Sequence, residues 1–379
     1  MRSVQSILFL LGVAVLVLAP GLALLAQTSD SPQWDALRRN RLVGAVINAK
    51  TPALDAQSFW DGQGQSGIEP WLAERMGAPR EFLIRVNNMF DYWAGRTKVP
   101  GLLIGRDGYL FGPPMLTDWC LRRDPGLSAE MAIGLKRAQQ KLESLGKTFV
   151  YVMSPNKAAI YPEYAPGYCK PSTTPRFHDR FAEELTRNGV NFVNAHALLD
   201  AEPKTPIMFG KYGGHWNDIG QFYTVRALLA LLEAKGGRAI GQLELRDVRT
   251  DRKPRWDEAD AGALLNLPYE LAAESPHARF GIAARGKPIN AIFIGSSFMW
   301  GPMRLLSEQG LIGNARLYYY FNSTYRYTGT SEQQVHVPNV VREDFGKALL
   351  DVDYVILESN DEWLESPHVT NFIKAVDSL

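Results

Sequence analysis

The run Asn290-Ala-Ile-Phe-Ile-Gly-Ser-Ser-Phe298 is almost purely apolar until it ends in a glycine and two serines. Residues 291–294 carry no polar side chain, and strands that are apolar on both faces are typical of a parallel sheet covered by helices. The run therefore predicts a buried strand. Its end places Ser297 on a sharp turn between strand and helix, where a serine is exposed and its backbone N–H can bind an oxyanion. A plain Gly-Ser turn is the alternative.

Helical and strand patterns alternate on both sides of this strand. Ser128 can cap a helix that ends at Gly146, and Asn217 can cap a helix closed by Gly236-Gly237. Further short β-forming runs lie at 148–153, 190–193, 317–321 and 354–357. The alternation predicts one α/β domain over residues 101–379, with a mainly parallel sheet between two helical layers.

Polar residues at the predicted strand ends are candidates for chemistry, because ligands of open α/β sheets bind at the carboxyl ends of the strands. His215 lies just before a predicted helix and can act as a general base for Ser297, although such a histidine can also be structural. Asn360 follows the run 354–357 and can donate to an oxyanion or cap a helix. The other candidates are Gly295, Ser296, Asn322 and Tyr325 for oxyanion or substrate contacts, and the strand end Ser154-Pro155-Asn156-Lys157.

The composition is that of an ordinary globular protein and excludes several functions. Of 379 residues, 41 are basic, 40 are acidic and 46% are apolar. These values exclude intrinsic disorder and give no indication of nucleic-acid binding. The six histidines are scattered, and the sequence has no H-E-x-x-H, C-x-x-C, P-loop or dinucleotide-binding motif. We therefore predict hydrolysis or acyl transfer by a serine, without a metal or a cofactor.

The N-terminus carries an apolar run from Ile7 to Ala26, preceded by a single charge at Arg2. About 20 such residues can span a bilayer as a helix, and a secretory signal peptide has the same outline. Residues 1–27 are therefore either a signal peptide, cut near Ala23 or Ala26, or a retained membrane anchor. Either one places the rest of the chain outside the cytoplasm, in the periplasm of a Gram-negative cell.

The region after the leader has two parts. Residues 28–57 are polar and irregular, which predicts a spacer. The stretch 80–94 has apolar residues at helical spacing, and these are Phe82, Val86, Met89 and Trp93. This stretch predicts a helix within an N-terminal extension of the main domain.

The two cysteines, Cys120 and Cys169, are too few for a disulfide scaffold or a four-cysteine metal site. In the oxidising compartment that the leader implies, they can pair with each other. Such a bridge closes a loop of roughly 50 residues and stabilises the fold by about 4 kcal/mol in the chain-entropy account. Two unpaired thiols are the alternative.

Taken together, these blocks resemble the periplasmic SGNH-type O-acetyltransferases of exopolysaccharide systems. That family includes the alginate O-acetyltransferase proteins and their counterparts in acetylated-cellulose systems. The resemblance covers about residues 58–365. The similar blocks, in chain order, are Ile68-Glu69-Pro70-Trp71 with Pro79-Arg80-Glu81; Gly105-Arg-Asp-Gly-Tyr-Leu-Phe111, which is similar to G-K-D-G-W-L-F; Asn156-Lys157 with Ile160-Tyr-Pro-Glu-Tyr164, which is similar to K-x-x-x-Y-P-E; His215-Trp216, at D-x-H-W; and Gly295-Ser-Ser-Phe298, at G-[TD]-S-[FY].

The resemblance implies a three-layer SGNH-hydrolase-like fold over residues 58–379, including the N-terminal extension. In ordinary SGNH hydrolases the serine block comes first and the histidine block last. Here His215 precedes Ser297, as in the circularly permuted order of this family. The implied roles are nucleophile for Ser297, base for His215 and oxyanion donor for Asn360.

One position departs from the family pattern. D-x-H would place an aspartate at 213, where this chain has Gly213. The acid of a Ser-His-Asp triad orients the histidine and stabilises its cation, so this departure bears on activity. Another acid, Asp218 or Asp361, can take that role. A non-catalytic relative is the alternative.

The resemblance also implies a reaction and partners. The expected reaction is O-acetylation of an exported polysaccharide through an acetylated serine. Because exported proteins lack cytosolic acetyl-CoA, the implied donor is a membrane-bound O-acyltransferase, together with other polymer secretion proteins. The alternatives are a non-catalytic glycan-binding or assembly subunit on the same fold, and a carbohydrate acetylesterase.

Overall fold

In its computed structural model the protein divides into two compact units. The first comprises Met1–Pro100 and Gly262–Leu271, and the second comprises Gly101–Ala261 and Ala272–Leu379. The structure describes residues 2–27, 31–35, 41–44, 49–52, 55–112, 115–116, 125–169, 176–328, 331–337, 345–360 and 366–379. Cys120 and Asp361 lie outside these ranges.

The first unit is helical where it is described. Its helices are α1 (Arg2–Gln27), α2 (Ala56–Trp60), α3 (Gln63–Arg75) and α4 (Gly77–Trp93), and Pro32–Trp34 forms a 3-10 turn. By length and composition, Val4–Gln27 can cross a membrane, with a mean hydropathy of 2.8. Helix α1 packs against α3 and α4. Among its described side chains, those of Ala23 and Ala26 alone are buried.

Helix α4 contains the stretch whose spacing predicted a helix, and this prediction is confirmed. Its apolar face is largely open to solvent. Phe82 is 62% exposed and Trp93 is 64% exposed, whereas Val86 and Met89 are half-buried. The apolar spacing therefore predicts the helix correctly, but the apolar residues do not form a face that is buried in a core.

A central sheet organises the second unit. Its strands are β3 (Thr148–Ser154), β4 (Phe192–Asn194), β7 (Ile289–Gly295), β8 (Ile312–Tyr319), β9 (Ser323–Thr328), β10 (Ser331–Val337) and β11 (Tyr354–Asn360). Their order across the sheet is β10-β9-β8-β7-β11-β3-β4. Strands β8, β7, β11, β3 and β4 are parallel, and β9 and β10 add an antiparallel edge. The predicted mainly parallel sheet is confirmed.

Helices cover both faces of this sheet. One face carries α5 (Pro125–Ser144), α7 (Phe177–Arg187) and α13 (Pro367–Asp377), and the other carries α9 (Asp218–Gly236) and α11 (Trp300–Glu308). The shorter helices are α6 (Lys157–Ile160), α8 (Ala195–Ala201), α10 (Asp260–Leu264) and α12 (Phe345–Ala348). In β11, Val355 and Leu357 pack into one core cluster and Ile356 into the other. This alternation explains why the central strands are apolar on both faces, and it confirms the three-layer fold.

Two small antiparallel pairs complete the second unit. Strands β1 (Leu103–Ile104) and β2 (Leu110–Phe111) form a short hairpin. Strands β5 (Gly241–Asp251) and β6 (Ser275–Arg285) form a longer pair. The connection between β5 and β6 includes α10, and α10 begins at Asp260.

Candidate active site

Ser297 lies where β7 ends, on the predicted turn between strand and helix. It begins a 3-10 turn, Ser297–Met299, which leads directly into α11. The Ser296 hydroxyl accepts a hydrogen bond from the Phe298 N–H at 3.2 Å and so caps this turn. Ser297 itself is half-buried. The backbone N–H of Ser297 has no acceptor within the turn, because the first N–H groups of a helix have none.

His215 faces Ser297 and an acid that the sequence did not indicate. Its Nε2 lies 2.7 Å from Ser297 Oγ, and its Nδ1 lies 2.7 Å from Asp260 Oδ2. The other carboxylate oxygen, Asp260 Oδ1, accepts from the Gly214 N–H at 2.7 Å and from the Ala261 N–H at 2.8 Å. Serine, histidine and aspartate therefore form one hydrogen-bonded line.

Asp260 is in its charged form at neutral pH. Burial raises the pKa of its carboxyl, but the hydrogen bond and charge of His215 and the Gly214 and Ala261 N–H groups outweigh burial. The net result is a pKa below the ordinary value of 3.8. A charged carboxylate only accepts hydrogen bonds, so we place the ring proton of neutral His215 on Nδ1. Its Nε2 then accepts a hydrogen bond from the Ser297 hydroxyl.

The predicted orienting acids are not the ones that the structure places beside His215. Asp218 pairs instead with Arg304, whose Nη2 lies 2.5 Å from Asp218 Oδ1. Asp361 lies outside the described residues. Asp260 was missed because it is 45 residues from His215, in the connection between β5 and β6, and no motif marks it. The missing aspartate at Gly213 was the one indication that an acid must come from elsewhere.

The predicted oxyanion candidates Gly295 and Ser296 serve the turn itself. The Ser296 N–H and hydroxyl both donate to Glu358 Oε2, at 2.8 and 2.9 Å. Because the backbone N–H of Ser296 already donates to Glu358, it does not face an oxyanion in this arrangement. A Cβ on Gly295 would lie 2.4 Å from Met299 Cγ and 2.8 Å from Glu358 Oε2, so only glycine allows this close approach.

Asn360 ends β11 at the same edge of the sheet as Ser297. Leu357 of β11 lies opposite Ile294 of β7, and both Asn360 and Ser297 follow three residues later. The side chain is 2% exposed, and its Nδ2 donates to the Pro155 carbonyl at 3.1 Å. That bond fixes the amide beside the Ser297 turn.

Asn322 and Tyr325 lie at the neighbouring strand ends. The predicted strand 317–321 ends earlier, at Tyr319, because Tyr320 and Phe321 turn with φ of 49° and 53°. Asn322 is exposed in this turn, and Tyr325 of β9 packs its ring edge against Trp300, with centroids 4.6 Å apart. Tyr325 thus has a packing role that accounts for its position.

Glu358 is a buried carboxyl beneath the serine turn. It accepts from Ser296 and also bonds the hydroxyl of Ser154 at the end of β3. Burial raises its pKa, while the hydrogen bonds from Ser154 and Ser296 act in the opposite direction. Glu358 thereby joins the ends of three adjacent strands, β3, β11 and β7.

Lys157 is a fully buried lysine next to the loop that precedes His215. Its Nζ, which has at most three hydrogens to donate, lies within hydrogen-bond distance of four carbonyl oxygens at 2.7 to 3.0 Å, those of Leu110, Gly210, Lys211 and Gly213. Burial lowers its pKa to about 7, and the charge of Asp260 acts in the opposite direction. These bonds fix the loop that leads into His215.

Two further predictions concern metals and cysteines. Among the residues that the structure describes, no group of three or more His, Cys, Asp or Glu side chains could hold a metal ion. Cys169 is buried, but its predicted partner Cys120 lies outside the described ranges. The disulfide therefore stays a prediction.

A serine at the carboxyl end of a parallel strand, with a histidine and an acid in line, is the arrangement of a serine-dependent hydrolase or acyltransferase. Residues 102–275 match the family model described as "SGNH hydrolase-like domain, acetyltransferase AlgX". The resemblance to SGNH-type acetyltransferases is thereby confirmed for residues 102–275, which are similar to this acetyltransferase domain. The matched segment includes His215 and Asp260 and ends before Ser297. No curated protein matches the chain.

Solved structures with a similar fold come from several bacteria. The O-acetyltransferase domain of Pseudomonas putida AlgJ is 15% identical, covers 74% of this chain and 100% of its own, and has a TM-score of 0.47. Pseudomonas aeruginosa AlgX is 13% identical, with coverages of 72% and 67% and a TM-score of 0.45. Bacillus cereus PatB1 is 11% identical, with coverages of 69% and 96% and a TM-score of 0.44.

Proposed function

We propose that this protein is an O-acetyltransferase that places acetyl groups on the hydroxyls of an exported polysaccharide, with Ser297 as the nucleophile. The observation that carries the proposal is the line from Ser297 Oγ to His215 Nε2 and from His215 Nδ1 to Asp260 Oδ2, with both distances 2.7 Å. This arrangement activates a serine for acyl transfer. The acetyltransferase-type domain of residues 102–275 supports acetyl as the group transferred.

In the first half of the reaction, Ser297 Oγ attacks the acetyl carbonyl carbon of the donor. His215 Nε2 takes the hydroxyl proton, and the negative charge of Asp260 stabilises the resulting imidazolium. The carbonyl oxygen becomes an oxyanion that the Ser297 N–H and the Asn360 amide bind. The oxyanion collapses, the bond to the donor breaks, and His215 returns the proton to the leaving oxygen or sulfur. Ser297 is left as an acetyl ester.

The second half repeats these steps with a sugar hydroxyl as the nucleophile. His215 removes the proton of the sugar hydroxyl, and its oxygen attacks the acetyl ester on Ser297. The oxyanion forms in the same place and collapses with the Ser297 oxygen as the leaving group, which regains its proton from His215. Water in place of the sugar gives acetate. Transfer thus requires that a bound glycan outcompete water at one site.

The donor and the location follow from the leader and the reaction together. We propose that α1 enters the cytoplasmic membrane and that the rest of the chain lies in the periplasm. A membrane-bound O-acyltransferase then supplies the acetyl group, since acetyl-CoA is cytosolic. The acetylated product is a secreted polysaccharide.

The test is acetate release from a chromogenic acetyl ester by the purified full chain. Ser297→Ala is expected to abolish release, whereas Ser144→Ala, an exposed serine on α5, is expected to leave it unchanged. An unchanged rate in Ser297→Ala would overturn the proposal.

Adding an acceptor oligosaccharide separates the candidate activities. A transferase gives acetylated glycan at the expense of acetate, whereas an acetylesterase gives acetate alone. Glycan binding with neither product would support the non-catalytic subunit. The non-catalytic alternative came from the absence of an aspartate at position 213. Asp260 lies at His215 Nδ1 and can take the role of that aspartate.

A further inference from the structure

The strand end Ser154-Pro155-Asn156-Lys157 has no part in the reaction steps. Its hydrogen bonds lead directly to Asn360, and through intervening residues to Ser297 and His215. The side chains of Ser154, Asn156 and Lys157 are all 2% exposed or less. Buried polar groups of this kind are costly unless each is satisfied, so their partners show what the segment does.

The first contact reaches the serine. Ser154 Oγ bonds Glu358, and the other carboxylate oxygen of Glu358 accepts the N–H and the hydroxyl of Ser296 at 2.8 and 2.9 Å. Ser296 precedes Ser297 and caps the turn that Ser297 begins. Ser154 thus fixes the orientation of Glu358, and Glu358 fixes the backbone that presents Ser297 Oγ.

The second contact reaches the oxyanion side. The Pro155 carbonyl accepts from Asn360 Nδ2 at 3.1 Å. An amide side chain rotates freely unless it is hydrogen-bonded, and this bond sets its plane beside the Ser297 turn.

The third contact reaches the histidine. Asn156 caps α6 by accepting from the Ala158 N–H at 2.8 Å, and this places Lys157 on the first turn of that helix. Lys157 Nζ then donates to the carbonyls of Gly210, Lys211 and Gly213, the last of which is two residues before His215. Carbonyl groups that converge on one buried donor cannot move apart without losing a hydrogen bond to it.

We propose that the 154–157 segment is the positioning element of the site, with Lys157 setting the place of His215 and Ser154, through Glu358, setting the place of Ser297. The proposal rests on the proposed function, because positioning has a consequence only if Ser297 and His215 react. It assigns positioning residues and no new reacting group. Since both contacts come from one short strand end, they hold the nucleophile and the base at a fixed separation.

The main test replaces Lys157 by methionine, which keeps the length of the side chain and removes the donor. The matched control is Lys147→Met, because Lys147 lies at the opposite end of β3 and donates to the Val352 carbonyl at 2.9 Å. Each variant loses hydrogen bonds from a lysine to backbone carbonyls. Only the carbonyls that Lys157 binds lie in the loop that leads to His215. Lys157→Met is expected to lower kcat by about 10²-fold, with KM changed less than about twofold. Lys147→Met is expected to keep the wild-type kcat.

A spectroscopic measurement separates positioning from a general loss of stability. The proton on His215 Nδ1, bonded to Asp260, is expected to give a downfield proton resonance in the folded protein. Lys157→Met is expected to shift or broaden this resonance at temperatures where circular dichroism shows the fold intact. A fully folded Lys157→Met with the wild-type resonance and wild-type kcat would overturn the proposal for Lys157.

Ser154→Ala tests the other contact and keeps the proposal falsifiable if Lys157→Met fails to fold. The readout is the rate constant for sulfonylation of Ser297 by phenylmethanesulfonyl fluoride, which depends on the placement of Oγ. A loss of about tenfold is expected, with the His215 Nδ1 resonance unchanged. A wild-type rate would overturn the proposal for Ser154. If the wild-type protein releases no acetate and is not sulfonylated, it is the proposed function that fails.

Discussion

At the scale of single residues, the site depends on which atom carries each proton. His215 is held at both ring nitrogens, by Asp260 on one side and Ser297 on the other. Since Asp260 is charged, the Nδ1 proton points at it and Nε2 faces the serine hydroxyl as an acceptor. This is the protonation state that a general base needs before the reaction starts.

Asp260→Asn is expected to lower kcat for acetate release by about 10³- to 10⁴-fold, because an amide that donates to Nδ1 favours the wrong tautomer of His215. The measurement is the initial rate at saturating ester. Asp218→Asn is the matched control, since Asp218 pairs with Arg304 instead, and it is expected to stay within a few-fold of wild type. Equal losses in the two variants would contradict the assignment of Asp260.

The same carboxylate makes stability depend on pH. The pKa of Asp260 is held below its ordinary value of 3.8, so its contribution to stability is present above that value and is lost as the pH falls through the folded-state pKa. The difference in the free energy of unfolding between wild type and Asp260→Asn is therefore expected to narrow below pH 3.8. Urea denaturation over a pH series measures it. A difference that does not change across this range would contradict the lowered pKa.

Ser297 and His215 were predictable as candidates because each lies in a short motif at a strand or helix boundary. Asp260 was not, since its only relation to His215 is a contact made by folding across 45 residues. Asp218 was predicted as the orienting acid because it is close to His215 in the sequence. It lies in the first turn of α9, where it pairs with Arg304 instead. Proximity along the chain is a poor guide to which acid meets a histidine.

At the scale of elements, the strands of the parallel sheet were predictable and the β5–β6 pair was not. Strands β7 and β11 are apolar on both faces, so their sequences stand out. Strand β5 contains Gln242, Glu244, Arg246 and Arg249, and it is buried mainly at its start. Its pairing with β6 depends on residues far apart in the chain. Asp260 thus lies in the connection of a strand pair that the sequence did not predict.

Helix α9 begins at Asp218, and its N-cap Asn217, which directly follows His215-Trp216, is expected to matter for both stability and activity. Asn217 accepts from the Ile219 and Gly220 N–H groups at 3.0 and 3.4 Å. Asn217→Ala is expected to cost about 1 kcal/mol of stability. Because Asn217 directly follows His215-Trp216, kcat is expected to fall as well.

Asn194→Ala is the matched control for Asn217→Ala. Asn194 caps α8 by accepting from the Ala197 N–H at 3.0 Å, and α8 carries none of the Ser297, His215 and Asp260 side chains. Thermal denaturation is expected to show a comparable loss in both variants, with kcat changed only in Asn217→Ala. A loss of kcat in Asn194→Ala of the same size would show that stability alone accounts for the effect.

At the scale of the whole molecule, the candidate active site lies in one unit and the apolar leader lies in the other. The second unit contains Ser297, His215 and Asp260, and the first contains α1. The change from an aromatic-rich region to alternating helices and strands was predicted from the sequence at about residue 128, whereas the two units divide at residue 101. That Gly262–Leu271 returns to the first unit was not predicted, because this short segment has no pattern that separates it from its neighbours.

Helix α1 is expected to stay attached to the mature protein as a membrane anchor. Ala23 and Ala26, the candidate cut positions, are buried in a helix that packs against α3 and α4. Cleavage there would expose the surfaces of α3 and α4 that α1 covers. Towards the start of the helix, Phe9 is 71% exposed and Leu10 is 64% exposed, and a bilayer would cover such side chains. The protein should therefore resist carbonate extraction from membranes.

Intact mass measurement of the protein from the membrane fraction checks this prediction, since it reports whether residues 1–27 are present. Leu10→Glu with Leu11→Glu places two charges in the middle of the apolar run, and this variant is expected to lose membrane insertion. Phe59→Glu with Trp60→Glu changes two exposed aromatics of α2 and serves as the control that should remain bound. A soluble mature chain that begins just after Ala23 or Ala26 would contradict retention and identify α1 as a signal peptide.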